Sequence, residues 1–240
     1  MAAGTATGTA GIAGQPDVVA FTRPHSPAAE AYRTLRTNIQ FASVERPVKR
    51  LLLTSSGPDE GKSTTVANLA VTLANAGHKV VVVDCDLRRP SQHEIFHLRN
   101  TSGLTSLFLN RSGLDGEALP LQPTAVENLW LLTSGPLPPN PGDLLDLPRM
   151  GEILDQVGRQ AEYVLLDAPP VVAVTDAAVL STKVDGVLLV VGAGTVKRDL
   201  ARRAKAQLET VNARVLGVVV NNAPFDASAF GGYYDTTGRG

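Results

Sequence analysis

"RLLLTSSGPDEGKSTT", residues 50–65, decides the fold. An apolar run at Leu51–Leu53 passes into a loop carrying Ser, Gly and Pro, and from Lys62 the composition becomes helix-forming, so the stretch reads as strand, loop and helix. Counted from Ser56, the loop is S-x-x-x-x-G-K-S, the spacing of a phosphate-binding loop with Ser where the first Gly usually stands. The turn through Gly57, Pro58, Asp59 and Glu60 would wrap a phosphate chain, and Gly61 lets the backbone approach it closely at a helix N-terminus. Lys62 supplies a point charge for the outer phosphates, Ser63 a hydroxyl suited to Mg²⁺, and Thr64 a further phosphate contact.

Outward from this stretch, strand-length apolar runs alternate with helix-length segments. Strands are expected at "KVVVVDCD", "NLWLLTS", "EYVLLDAPP", "DGVLLVVGA" and "ARVLGVVVNN". Helices are expected over Lys62–Ala76, Met150–Gln160, Thr175–Thr182 and Lys197–Val211. Val/Leu runs without polar alternation indicate strands buried on both faces, hence a doubly wound, mostly parallel α/β sheet with ligands at the carboxyl ends of its strands. Two of those ends carry carboxylates: Asp84 and Asp86 after one strand, Asp167 after another. Each alone would pass as a turn cap. Beside a phosphate loop, three converging carboxylates call for a cation, and nucleotide-bound Mg²⁺ is the natural one, with an aspartate left to act as base.

The chain has 240 residues, 43% of them hydrophobic, enough for one large domain. A net charge of -1 gives no global argument for a nucleic-acid partner, and one cysteine, Cys85, excludes an internal disulfide and fits a reducing cytoplasm. No signal peptide and no membrane helix is expected. Residues 1–22 read as a flexible leader, 23–222 as the nucleotide-binding domain and 223–240 as a flexible tail. Ser26 before Pro27 and Glu30 marks the start of a helix over 27–42, whose Glu30, Arg33 and Arg36 form one stripe. "HEIFH", residues 93–97, has the spacing of a zinc site but no third ligand, and zinc is not expected. Two of the four tyrosines, Tyr233 and Tyr234, stand side by side in the tail, where too few apolar residues accompany them to form a core.

Together these segments resemble the bacterial tyrosine kinases of capsule and exopolysaccharide synthesis, over roughly residues 23–222. The resemblance rests on the phosphate loop, on "VVVDCDLRRP", on "VLLDAPP", and on "EAYRTLR", which fits the family's E-x-x-R-x-x-R helix. It implies an ATP- and Mg²⁺-dependent protein-tyrosine kinase. Lys62 is then the phosphate clamp, Asp84 the favoured base, Ser63, Asp86 and Asp167 the metal-organising groups, and Asn221 a neighbour of the adenine. It further implies autophosphorylation of Tyr233 and Tyr234 in trans, a ring built through Glu30, Arg33 and Arg36, and a membrane-bound polysaccharide co-polymerase that recruits the cytoplasmic chain to the inner face of the plasma membrane. The alternatives are a positioning ATPase of the division-site and chromosome-partitioning type, or a nucleotide-dependent scaffold. Those ATPases carry a further lysine where this loop has Gly57, which counts against them.

Overall fold

The computed structural model describes residues 15–109, 119–194 and 196–223. In chain order the elements are α1 (Val19–Thr22), α2 (Pro27–Ala42), β1 (Arg50–Ser55), α3 (Lys62–Ala74), β2 (Val80–Asp84), α4 (Gln92–Ile95), α5 (Leu104–Leu109), β3 (Gln122–Pro123) and β4 (Leu129–Leu132). They continue with α6 (Pro141–Asp146), α7 (Pro148–Gln160), β5 (Tyr163–Asp167), α8 (Asp176–Ser181), β6 (Gly186–Gly192), α9 (Arg198–Thr210) and β7 (Val215–Asn221). The strands form one sheet in the order β3-β4-β2-β5-β1-β6-β7, parallel except for the short antiparallel β3. The chain leaves β1 toward β2 on one side and later returns to β6 on the other, so β1 sits at the switch point where such folds bind ligands.

Successive strand residues feed two separate cores. Leu52, Val81, Val83 and Leu166 point to the face covered by α7, α8 and α9, whereas Leu51, Leu53, Val82 and Leu165 point to the face covered by α1, α2 and α3. On the first face, Met150, Ile153, Leu154 and Val157 of α7 recur at helical spacing and are fully buried, each contributing roughly 1.5–3 kcal/mol. On the second, α3 is buried without a break from Thr65 to Ala74, because α1 and α2 lie on its outer side. An all-round apolar helix such as "VANLAVTLA" needs that second cover.

The cover corrects one expectation. The leader does not extend to residue 22: Val18 and Ala20 are buried, Asp17 N–H donates to the Ile95 carbonyl (3.1 Å), and Ala20 N–H donates to Asn68 Oδ1 (2.8 Å). Averaging over an Ala/Gly/Thr-rich segment hid the local apolar group "VVAF". The helix over 27–42 is present as expected, with Ser26 Oγ accepting from Ala29 N–H at 3.2 Å. The other expected strands and long helices are present with ends shifted by a few residues. Trp130 is half-buried against the core on the α7 face. Among the described residues no helix is long and apolar enough to cross a membrane.

Candidate active site

The phosphate loop is held from behind. Gly61 has φ of 79°, a left-handed conformation open to glycine, and a Cβ there would stand 1.9 Å from Asn221 Nδ2. That amide donates to the Glu60 carbonyl at 3.0 Å, so Asn221, expected beside the adenine, braces the loop from the end of β7. Glu60 turns its side chain into the protein. One carboxylate oxygen accepts from Ser56 Oγ (2.6 Å) and from Gly57 N–H, and the other from Gly192 N–H at the end of β6 (3.0 Å). A buried carboxylate with three donors is a structural fixture of the loop, and it occupies the Gly57 N–H that a phosphate would otherwise use.

Parallel pairing brings the carboxylates together. Asp84 at the end of β2 is in register with Asp167 at the end of β5, and β1 adjoins β5 on the other side, so the Lys62 side chain reaches Asp167. Its ammonium pairs with Asp167, lies 3.5 Å from Asp86 Oδ2, and donates to Ser63 Oγ at 3.1 Å. Burial opposes the charge on Lys62, but Asp167 and Asp86 outweigh it and hold the ammonium above the usual lysine range. Asp84 is pushed well up, first by burial and then by the facing Asp167, with the Gln92 N–H and Lys62 pulling the other way.

The three aspartates are not equivalent. Asp84 is fully buried, its Oδ1 accepting from Asp86 N–H (3.3 Å) and its Oδ2 from Ser91 N–H (3.1 Å) and Gln92 N–H (3.0 Å). Asp167 is fully buried between Lys62 and the Gln92 side chain. Of the three, Asp86 alone lines the cavity of about 540 Å³ that also contains Lys62, Ser63, Thr64 and Arg89, and its Oδ1 is fixed by the N–H groups of Arg88 and Arg89. Such a volume suits a small polar ligand. A second cavity of about 500 Å³ flanks the loop on the α9 side, between Gly57–Glu60 and Lys197, Leu200 and Arg203.

Two residues take roles that the sequence does not show. Arg88 makes a bidentate pair with the fully buried Asp176 (2.9 and 3.0 Å), so it clamps the loop after β2 to the start of α8 instead of facing the cavity. Gln92, also fully buried, bonds to Asp84, Asp167 and Ser63. The histidines of "HEIFH" do not share a helical face, since α4 ends at Ile95 and His97 has φ of 52°. On α2, Arg33 pairs with Glu30 and donates to the Pro24 carbonyl, while Arg36 reaches the Thr72 carbonyl on α3 (3.4 Å). Tyr233 and Tyr234 lie outside the described residues.

With this geometry in hand, the relatives are informative. The family model described as ParA, NUBPL iron-transfer P-loop NTPase, matches residues 48–236. Within that broad class, the chain is 43% identical over 222 residues to tyrosine-protein kinase YwqD of Bacillus subtilis, covering 92% of each protein. The chain belongs to the bacterial protein-tyrosine kinases. The kinase is also 34% identical to tyrosine-protein kinase CpsD of Streptococcus agalactiae, over 85% of this chain and 87% of that one. Among solved structures it resembles the chimerical protein CapA2B2 (TM-score 0.81, 39% identity, 87% and 90% of the two chains). It likewise resembles the kinase domain of Escherichia coli ETK (TM-score 0.78, 31% identity, 87% and 82% of the chains). A MinD complexed with Mg-ADP from Pyrococcus horikoshii shares the fold alone, at 20% identity and a TM-score of 0.60. The iron-transfer label does not suit this kinase, whose only cysteine, Cys85, is buried.

Proposed function

We propose that the kinase uses ATP and Mg²⁺ to phosphorylate Tyr233 and Tyr234 of its own tail, in trans within a ring-like homo-oligomer, and so regulates capsular or exopolysaccharide synthesis or export. The observation that carries the ATP site is the placement of one buried ammonium, Lys62, near two strand-end carboxylates, Asp84 and Asp167, and Asp86 just beyond β2, beside a phosphate loop. Three carboxylates facing one ammonium leave excess negative charge, a donor set that fits a hard divalent cation. Ser63 and Asp167, with Asp86 beside them, would hold Mg²⁺, which would neutralise charge developing on the transferred phosphoryl group. Lys62 leaves Asp167 to take the outer phosphates, and the helix N-terminus at Gly61 orients them.

Asp86 is the carboxylate within reach of an incoming tyrosine hydroxyl, since it faces the cavity, so we assign it the base. Asp84, expected as the base, then fixes the turn over residues 86–92 through its three backbone donors. In sequence the tail follows β7, the strand whose Asn221 braces the loop. The reading places the chain in the cytoplasm, held at the inner face of the plasma membrane by a membrane-bound polysaccharide co-polymerase whose cytoplasmic end completes the site. The E-x-x-R-x-x-R helix would supply the contact between neighbours.

Incubation with ATP and Mg²⁺, together with the co-polymerase's juxtamembrane peptide, should add whole phosphates to the intact mass. The gain should vanish in Lys62→Met and in the double variant Tyr233→Phe/Tyr234→Phe. Release of ADP without any mass gain would refute the autokinase reading and favour a positioning ATPase.

A further inference from the structure

Gln92 is a neutral side chain bonded to the centre of the site. It is fully buried at the start of α4. Its amide nitrogen donates to Asp167 Oδ2 at 2.7 Å and to the Ser63 carbonyl at 3.0 Å, while its backbone N–H donates to Asp84 Oδ2 at 3.0 Å. One residue thus ties the ends of β2 and β5 to the first turn of α3. The orientation of the amide is forced, because reversing it would set its carbonyl against the Asp167 carboxylate and the Ser63 carbonyl, two groups that only accept. The price of that orientation is a buried Oε1 with no donor among the described residues. Leaving such an acceptor unpaired costs about 1–3 kcal/mol, which selection for stability alone does not explain.

We propose that Gln92 is a positioning residue for the metal-nucleotide complex: its amide N–H groups fix Asp167 and Ser63, the groups that would hold the cation. The inference rests on the Mg²⁺ reading above. Mg²⁺ is held by few protein groups, so the orientation of each of those groups weighs heavily on its binding. Hydrogen-bond partners of this sort set metal affinity, and their loss commonly weakens it about 10- to 100-fold. Gln92 is outside the phosphate loop and carries no charge, which is why motif reading passes over it.

The test uses the full chain and the coupling between metal and nucleotide. The ADP dissociation constant is measured in EDTA and in excess Mg²⁺, for the wild type, Gln92→Leu and Gln92→Glu. The wild type should bind ADP more tightly with Mg²⁺. In both variants the affinity in EDTA should stay within about threefold of wild type, while the gain from Mg²⁺ shrinks by about tenfold or more. Phosphate incorporation should show the same split, with kcat down at least about tenfold and KM for ATP at saturating Mg²⁺ little changed. A folded variant with the wild-type Mg²⁺ gain overturns the proposal. So does a variant that loses ADP affinity equally with and without Mg²⁺, the mark of a purely structural residue. If Gln92→Leu does not fold, the near-isosteric Gln92→Glu decides by the same criteria. A wild type whose ADP affinity ignores Mg²⁺ overturns the metal reading itself, and the inference with it.

Discussion

Replacing Lys62 by Met keeps most of the side chain's volume and deletes the charge that Asp167 and Asp86 share. The lysine is 7% exposed and Asp167 is fully buried, so solvent cannot take over the role. Removing one partner of a buried pair costs about 3–5 kcal/mol if the remaining charge persists. The site can escape by binding a proton instead, which costs about 1.4 kcal/mol for each pH unit above the ordinary carboxylate pKa of about 4. At pH 5 the escape costs about 1.5 kcal/mol; by pH 8 it exceeds the cost of the unpaired charge, so the penalty levels off at about 3–5 kcal/mol. The sign follows from proton counting. The folded variant holds a proton that the unfolded chain has released above about pH 4, so stability falls as pH rises through this window. The raised pKa of Asp84 gives the wild type a slope of the same sign, so the informative quantity is the difference between the two proteins. At about 2–4 °C per kcal/mol, thermal melts should show a deficit of roughly 3–6 °C at pH 5 widening to roughly 6–20 °C at pH 8. A deficit that is equal at both pH values, or absent, would refute the buried ion-pair cluster. The same result governs use of Lys62→Met as an inactive control, which should be run below pH 7.

Other consequences can be checked separately. Gly61→Ala puts a side chain at φ of 79° and 1.9 Å from the Asn221 amide; it should cost about 1–3 kcal/mol in urea unfolding and abolish ADP binding measured by titration calorimetry. Arg88→Ala strands the fully buried Asp176, but Arg88 is 42% exposed, so the loss in a denaturant melt should be about 2 kcal/mol, with Arg88→Lys recovering only part. Asp86→Asn should lower kcat by about 100-fold or more and cost less thermal stability than Asp84→Asn, which should lower the melting temperature by several degrees because an amide cannot accept from all three backbone donors. Equal melting temperatures for the two variants would contradict the division of labour between them.

The sheet was legible because a parallel strand buried on both faces leaves an unmistakable Val/Leu run, and the phosphate loop because its Gly and Lys spacing has few other uses. The carboxylates were legible as a set, since each ends such a run. Their individual burial was not, because Asp84 and Asp86 differ only in how the turn to Gln92 folds back, which is set by backbone donors that any residue type carries. Asp176 and Arg88 are 88 residues apart, and Gln92 and Asp167 are 75 apart, so neither pair leaves a local pattern. The inward turn of Glu60 is a further case, because a glutamate in an exposed-looking loop gives no sign that Gly192 supplies its partner.

The bracing of the phosphate loop bears on how far its motif is interchangeable between relatives. A Cβ at Gly57 would lie 3.1 Å from Glu60 Oε1 and 3.4 Å from Leu200 Cδ2, and at Gly61 it would strike Asn221. Grafting a loop with a lysine at position 57 therefore crowds Glu60 of the loop itself and packs against Leu200 of α9, while Asn221 of β7 still ties down the Glu60 carbonyl. Loop, β7 terminus and α9 form one exchangeable cassette, and a successful conversion between loop types has to carry Glu60, Leu200 and Asn221 across as a unit.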